Sequence, residues 1–202
     1  LHYIRRHVDH KPFFTGNPNP VKVVLRELLY HANPTHPEDE EKGFSTLESY
    51  MLFLRESGLY RENAPNIILT GQMGEPFALI KALEEAGNNV FPVRNLRNFI
   101  RNGQADSMNV AAVINMAHGR MGDYMVQYLE QHNIPLFTTV YVPQLTEEWE
   151  ADKMGMSGGF LSQSIVMPEI DGAIRPYALF GHYKDEEGMQ HVYAIPDRLE
   201  KF

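Results

Sequence analysis

The sequence predicts an α/β domain of three layers, with a mostly parallel sheet of Rossmann or flavodoxin type, over residues 65–202. From residue 66 onwards, short and continuously apolar runs alternate with helical patterns. Such alternation is typical of parallel strands that crossover helices bury on both faces. The pattern before residue 66 is different, and we interpret residues 1–64 as a helical and irregular segment of a neighbouring domain.

The N-terminal segment is predicted to begin irregularly and to continue as two helices. Its first stretch is rich in His, Pro and Asn, and Pro disfavours helix in the residue before it. Residues 21–31 carry apolar side chains at spacings of three, four and seven, which predicts a helix. Ser45 and Glu48 form a capping-box pattern for a second helix, which Gly58 ends.

Four apolar runs predict the parallel strands of the α/β domain. They are residues 67–70, 90–93, 110–116 and 135–142. Amphipathic runs at 75–86 and 124–132 predict helices between them. Parallel neighbours of this kind are joined by right-handed crossovers.

The C-terminal part of the sequence has a different pattern. Residues 146–154 favour a short helix, and residues 164–167 look like a further strand. Asp171-Gly172 is a strong turn signal. Residues 174–183 and 190–195 then predict a C-terminal β-hairpin.

Composition narrows the functional classes. The 202 residues are 43% hydrophobic and 22% charged, as in an ordinary globular protein. The net charge of −8 argues against a nucleic-acid partner. The chain has no cysteine, which excludes disulfides and thiolate chemistry and suits a cytoplasmic protein. No apolar run approaches the roughly 20 residues of a membrane span, and the start without Met suggests a piece of a longer protein.

One basic cluster stands out in this acidic chain. Arg94, Arg97 and Arg101 are spaced as on one side of a helix, beside Asn residues. A solvated helix face is the first interpretation, and an anion site is the second.

Two glycine-containing loops follow predicted strands, where ligands of parallel α/β sheets bind. The first, residues 70–75, holds Gln72 and Met73 as candidate substrate contacts, although a tight turn between strand and helix is the plainer interpretation of its glycines. The second holds His118, whose imidazole titrates near neutral pH. A hydrogen-bonded loop residue is the plainer interpretation of a single His.

Three segments near the C-terminus resemble the large subunits of cobaltochelatase and magnesium chelatase. Residues 144–150 (QLTEEWE), 155–157 (GMS) and 163–172 (QSIVMPEIDG) are similar to segments that occur in this order in that family. Residues 79–92 and 30–50 resemble two upstream pieces. The loops at 71–75 and 115–119 depart from the family pattern, which suggests a divergent homologue.

The resemblance implies a domain of a much longer subunit that binds a tetrapyrrole, either hydrogenobyrinic diamide or protoporphyrin. That subunit inserts Co²⁺ or Mg²⁺ and so acts as a ligase that forms nitrogen–metal bonds. AAA+ motor subunits, and not this chain, would hydrolyse ATP. A fragment of this size is expected to be inactive alone.

The resemblance also suggests roles for single residues. Metal insertion removes two pyrrole protons, so a base must lie beside the macrocycle. Glu169 is the first choice for that base or for a transient metal contact, and His118 is the second. Gln144 and Gln163 are expected to touch macrocycle substituents, and Asp171 to hold its loop within the substrate site.

Two other functional classes fit the residues. The domain can be a flavodoxin-like module that holds a small ligand without catalysis, or an interaction module that docks other chelatase domains. Quenching of the fluorescence of Trp149 by porphyrins or corrinoids would favour macrocycle binding.

Overall fold

The computed structural model describes residues 46–71 and 76–202. The chain divides into two compact units, Leu1–Asn63 and Ala64–Phe202. The helix predicted at residues 21–31 and the proposed N-cap Ser45 lie outside the described residues. Gln72 and Met73 lie outside them too.

Within the first unit, the described part is one helix, α1 (Leu47–Glu56). The Thr46 side chain caps it by accepting a hydrogen bond from the Ser49 amide at 3.2 Å. Tyr50 and Leu54, four residues apart, are buried, as expected for the inward stripe of an amphipathic helix. The chain leaves the helix through Gly58, as the sequence predicts.

The second unit is built on a six-stranded sheet of order β2-β1-β3-β4-β5-β6. Neighbours pair in parallel except β5 and β6, which form an antiparallel hairpin. The strands are β1 Asn66–Thr70, β2 Asn89–Pro92, β3 Val110–Asn115, β4 Leu136–Leu145, β5 Ile174–Lys184 and β6 Gln190–Ala194. The predicted parallel sheet and C-terminal hairpin are therefore confirmed.

Helices join the parallel strands. They are α2 Pro76–Glu85, α3 Leu96–Arg101, α4 Asp123–Gln131 and α5 Thr146–Ala151. A longer helix, which we call the crossover helix (residues 158–170), joins β4 to β5, and α8 (Pro196–Leu199) follows the hairpin. Every residue of β1 and β2 is buried, which is the pattern of strands covered on both faces. No described helix has the length and apolar character to cross a membrane.

The crossover helix has three parts. The α-helical turns α6 (Gly158–Leu161) and α7 (Met167–Ile170) flank a π-helical segment, Ser162–Val166. Segments of π-helix are rare in proteins, and those that occur are often found at functional sites.

The strand predicted at residues 164–167 is therefore wrong. Ser164 and Pro168 are buried, whereas Val166 lies exposed between them, so burial recurs every four residues as on a helix. A short apolar run cannot be assigned to strand or helix from its own periodicity. The consequence is that Glu169 and Asp171 follow a helix and not a core strand.

The strand order places a topological switch point between β1 and β3. From β1 the chain passes to β2 on one side, and it then returns across β1 to β3 on the other side. Ligands of open α/β sheets bind outside the carboxyl ends of the strands at such a point. Gly71 has a φ of +69°, and a Cβ there would lie 2.2 Å from the Asn115 Oδ1 and 2.7 Å from the Ala117 amide nitrogen. Only glycine lets the loops after β1 and β3 come this close.

Candidate functional site

His118 lies in the loop that follows β3 and is half-buried against the crossover helix. Its Nδ1 is 3.0 Å from the hydroxyl oxygen of Ser164, a buried residue of the π-helical segment. Its ring makes edge contacts with Tyr141 and Phe160, with centroids 6.3 Å and 6.1 Å away. Burial lowers the pKa of His118 below its ordinary 6.5. The imidazole is therefore neutral at pH 7 and is able to accept a proton.

A second imidazole lies close by on β5. His182 Nε2 is 2.5 Å from the Tyr141 hydroxyl, and His182 Nδ1 is 3.1 Å from the Val142 carbonyl oxygen. A carbonyl oxygen only accepts, so Nδ1 carries the proton and Nε2 accepts from the tyrosine. Burial raises the pKa of Tyr141, which keeps its hydroxyl protonated.

These residues form one group, which we call the His118 cluster. Its members are His118, Tyr141, Phe160, Ser164 and His182. Asn115 at the end of β3 pairs with Thr138 of β4, so Tyr141 lies beyond the end of β3. The cluster is thus at the carboxyl side of the sheet, where the sequence predicts His118 as a candidate base. Tyr141 and His182 were not predicted as site residues. The sequence signal that could have indicated them is a Tyr and a His inside otherwise apolar strands.

The π-helical segment also holds the loop of His118 by its backbone. The Gly119 amide donates to the Gln163 carbonyl oxygen at 2.8 Å. Gly119 has a φ of +79°, and a Cβ there would lie 2.9 Å from the Gln163 side-chain oxygen Oε1. Gln163 itself is exposed beside this contact, and Gln144 is exposed near the end of β4. Both amides are accessible to a ligand.

Asp171 fastens the same loop at its other end. Its side chain is only 1% exposed. One carboxylate oxygen accepts from Arg120 Nε, and the other accepts from the Met121 amide at 2.5 Å. Arg120 also pairs with exposed Asp123 at 2.7 Å. Both Asp171 oxygens are therefore used to hold the loop that carries His118.

Glu169 lies elsewhere. It is exposed on the last turn of the crossover helix, just before β5. Ile174, the first residue of β5, pairs with Phe137, the second residue of β4. The acidic turn (residues 169–172) therefore directly precedes β5. Among the described residues, the Glu169 side chain forms no hydrogen bond or ion pair with a member of the His118 cluster. A groove of about 530 Å³ adjoins the turn, lined by Asp171, Gly172, the end of α4 and the start of β4, and Glu169 does not line it.

A separate crevice lies at the switch point between β1 and β3, with a volume of about 250 Å³. Ala117, Arg120 and Met121, from the loop of His118, form one wall, and Arg94 and Arg97 form another. Within residues 46–71 and 76–202, no three His, Asp or Glu side chains gather as a metal-binding group.

Comparison with known proteins identifies the family. The model of the CobN/Magnesium Chelatase family matches residues 1–202, the whole chain. The chain belongs to the CobN/magnesium chelatase family. The resemblance carried by residues 144–172 is thus confirmed at the level of the family.

One solved structure supports the fold of this family member. The catalytic subunit of cobaltochelatase from Mycobacterium tuberculosis is similar with a TM-score of 0.53 and 19% identity, over 68% of this chain. The chain spans only 14% of that subunit's length. At this identity the likeness concerns the fold. No curated protein matches the chain.

Proposed function

We propose that this domain forms part of the macrocycle site of a chelatase large subunit and accepts protons there during metal insertion. The substrates would be a tetrapyrrole and Co²⁺ or Mg²⁺, and the product a nitrogen–metal complex. AAA+ partner subunits would hydrolyse ATP, and the assembly would act in the cytoplasm. Family membership supports the reaction class, and the His118 cluster is the observation that carries the role of this domain.

Metal insertion requires an unprotonated base that is held in a fixed direction. The ion replaces two pyrrole N–H protons, each of which must pass to an acceptor as the nitrogen–metal bonds form. The neutral ring of His118 can take one such proton and become imidazolium. Its contact with Ser164 and the edges of Tyr141 and Phe160 fix the ring plane, so no reorientation precedes the transfer.

The second proton has a candidate route through Tyr141 and His182. The tyrosine hydroxyl donates to His182 Nε2, so a proton that arrives at the hydroxyl oxygen can be matched by transfer of its own proton to the imidazole. This pair is next to His118, with ring centroids of His118 and Tyr141 6.3 Å apart. The arrangement can therefore accept two protons at one edge of the sheet.

Substrate contacts are assigned to exposed amides close to this edge. Gln163 is exposed beside the loop of His118, and Gln144 is exposed near the end of β4. Amide groups both donate and accept, which suits the carboxylate or carboxamide substituents of a tetrapyrrole. Asp171 contributes by holding the loop in place. Gln72 and Met73 stay predictions for the loop after β1.

Glu169 is the second candidate for the base. Its motif suggested it first, but Glu169 is exposed to water at the end of the crossover helix, whereas His118 is half-buried and held by its neighbours. A base that its neighbours hold in a fixed direction is better suited to proton transfer than a freely rotating surface side chain.

The decisive experiment replaces His118 with Gln in the full-length subunit together with its partners. Loss of a positioned base should lower the rate of metal insertion by about 10²–10⁴-fold, while macrocycle affinity changes little. His132→Gln is the matched control, because His132 is an exposed residue stacked on Tyr128 at the end of α4. Metal insertion at the normal rate by the His118 variant would refute the proposal.

A further inference from the structure

The switch-point crevice is positively charged in a chain whose net charge is −8. Arg94, Arg97 and Arg120 line it, and none of its described lining residues is acidic. Asn95 and Asn115 add polar amides at its rim. Guanidinium groups bind carboxylates through paired, charge-assisted hydrogen bonds. The chemistry of this wall fits an anion.

The three arginines differ in what surrounds them. Arg120 is held by the carboxylates of Asp171 and Asp123, which offset its charge. Arg97 instead lies over the ring of Tyr124, with its guanidinium carbon 5.7 Å from the ring centroid. An aromatic face orients a guanidinium without cancelling its formal charge. Arg97 is therefore the best-placed cation for an incoming ligand.

Local structure fixes where Arg97 stands. The Asn95 side chain accepts a hydrogen bond from the Asn98 amide at 3.0 Å and so begins α3 immediately after β2. Leu96, Phe99 and Ile100 are buried, which turns Arg97 outward beside the crevice. Arg101 is exposed on the same helix and does not line the crevice.

The crevice and the His118 cluster share one loop. Ala117 and Arg120 face the crevice, whereas His118 and Gly119 contact the crossover helix. A flat ligand whose centre lies beside His118 can therefore extend an edge substituent toward Arg97. Biosynthetic tetrapyrroles carry acetate or propionate side chains at their edges.

We propose that the switch-point crevice binds a peripheral carboxylate of the macrocycle through Arg97, with Arg94 lining the same wall. This inference rests on the proposed function. The crevice then sets the orientation of the macrocycle, while the His118 cluster accepts protons from the pyrrole nitrogens at the macrocycle centre.

The test compares a free-acid porphyrin with its methyl ester in the full-length subunit. Arg97→Gln should weaken binding of the free acid by roughly tenfold and leave the ester unaffected, since an ester carries no charge. Arg101→Gln is the matched control and should bind both forms like the unmodified protein. Equal affinities of the Arg97 and Arg101 variants for the free acid would overturn the inference.

A second measurement is independent of porphyrin binding. Phenylglyoxal labels accessible arginines, and mass spectrometry reports each site. Succinate should slow labelling of Arg97 but not of Arg101. Labelling of Arg97 that is unchanged by succinate, or slowed by phosphate alone, would overturn the carboxylate assignment. If the unmodified subunit bound no porphyrin while succinate still protected Arg97, the proposed function would fall and the carboxylate site would stand.

Discussion

The His118 cluster and the acidic turn offer acid–base groups in two different settings. In the cluster, Tyr141 of β4 and two residues of the crossover helix, Phe160 and Ser164, contact the half-buried imidazole of His118. His182 of β5 joins the cluster through Tyr141. In the turn, Glu169 is exposed at a helix end, and its buried neighbour Asp171 is fully occupied by the loop. The comparison shows that residue type is enough to suggest a candidate base. Burial and a fixed orientation decide whether that base suits proton transfer.

The two regions are nevertheless mechanically linked. Asp171 of the turn holds Arg120 and Met121, which lie two and three residues beyond His118. The acidic motif therefore supports the cluster from a distance. Its buried carboxylate is a positioning group for the loop, which explains why Asp171 is so thoroughly enclosed.

The largest effect on stability should come from cutting that link. Asp171→Asn removes a buried charge that accepts two hydrogen bonds, and it should cost about 1.5–3 kcal/mol of unfolding free energy. Asp123→Asn, which removes the 81% exposed partner of the same arginine, should cost less than about 1 kcal/mol. Denaturant titration of both variants checks the difference, and equal costs would show that burial of Asp171 contributes nothing.

A smaller effect should appear in the pH dependence of stability. The folded chain holds the pKa of His118 below 6.5, so the unfolded chain binds more protons as the pH falls through this range. Stability from this group is therefore present above pH 6.5 and is lost as the pH falls toward the folded pKa. Between about pH 7.5 and about pH 5.5, the unfolding free energy should decrease more for the natural chain than for the His118→Gln variant. Parallel losses in both proteins would contradict the burial of this ring.

The smallest effect is expected at Glu169. The motif alone predicts that Glu169→Gln abolishes metal insertion while macrocycle binding survives. Its exposed place on the crossover helix predicts instead an insertion rate within about threefold of normal, because a surface carboxylate is readily replaced by water. Insertion assays on the full-length subunit decide between them. Abolished insertion would reverse the comparison and make the turn the reacting region.

The local sequence pattern was enough to predict the strands of the parallel sheet, but it was not enough to predict the crossover helix. The runs around Ile67 and Val90 are continuously buried, and continuous apolar sequence indicates such strands directly. Ser164–Met167 was predicted as a strand, yet there the chain forms the end of a π-helical segment and the start of an α-helical turn against the sheet. Packing over β4, where Phe160 and Ile165 contact the buried cluster of Val140, Val142 and Ala178, overrides local preference there.

The sequence by itself determined the parallel α/β fold, the family and the place of His118 after a strand, because apolar periodicity and motif order are local properties of a chain. Only the tertiary structure decided which groups meet. Ser164 lies 46 residues from His118, and His182 lies 41 residues from Tyr141. Contacts over such separations depend on strand order and on the path of a crossover helix, which no local spacing encodes.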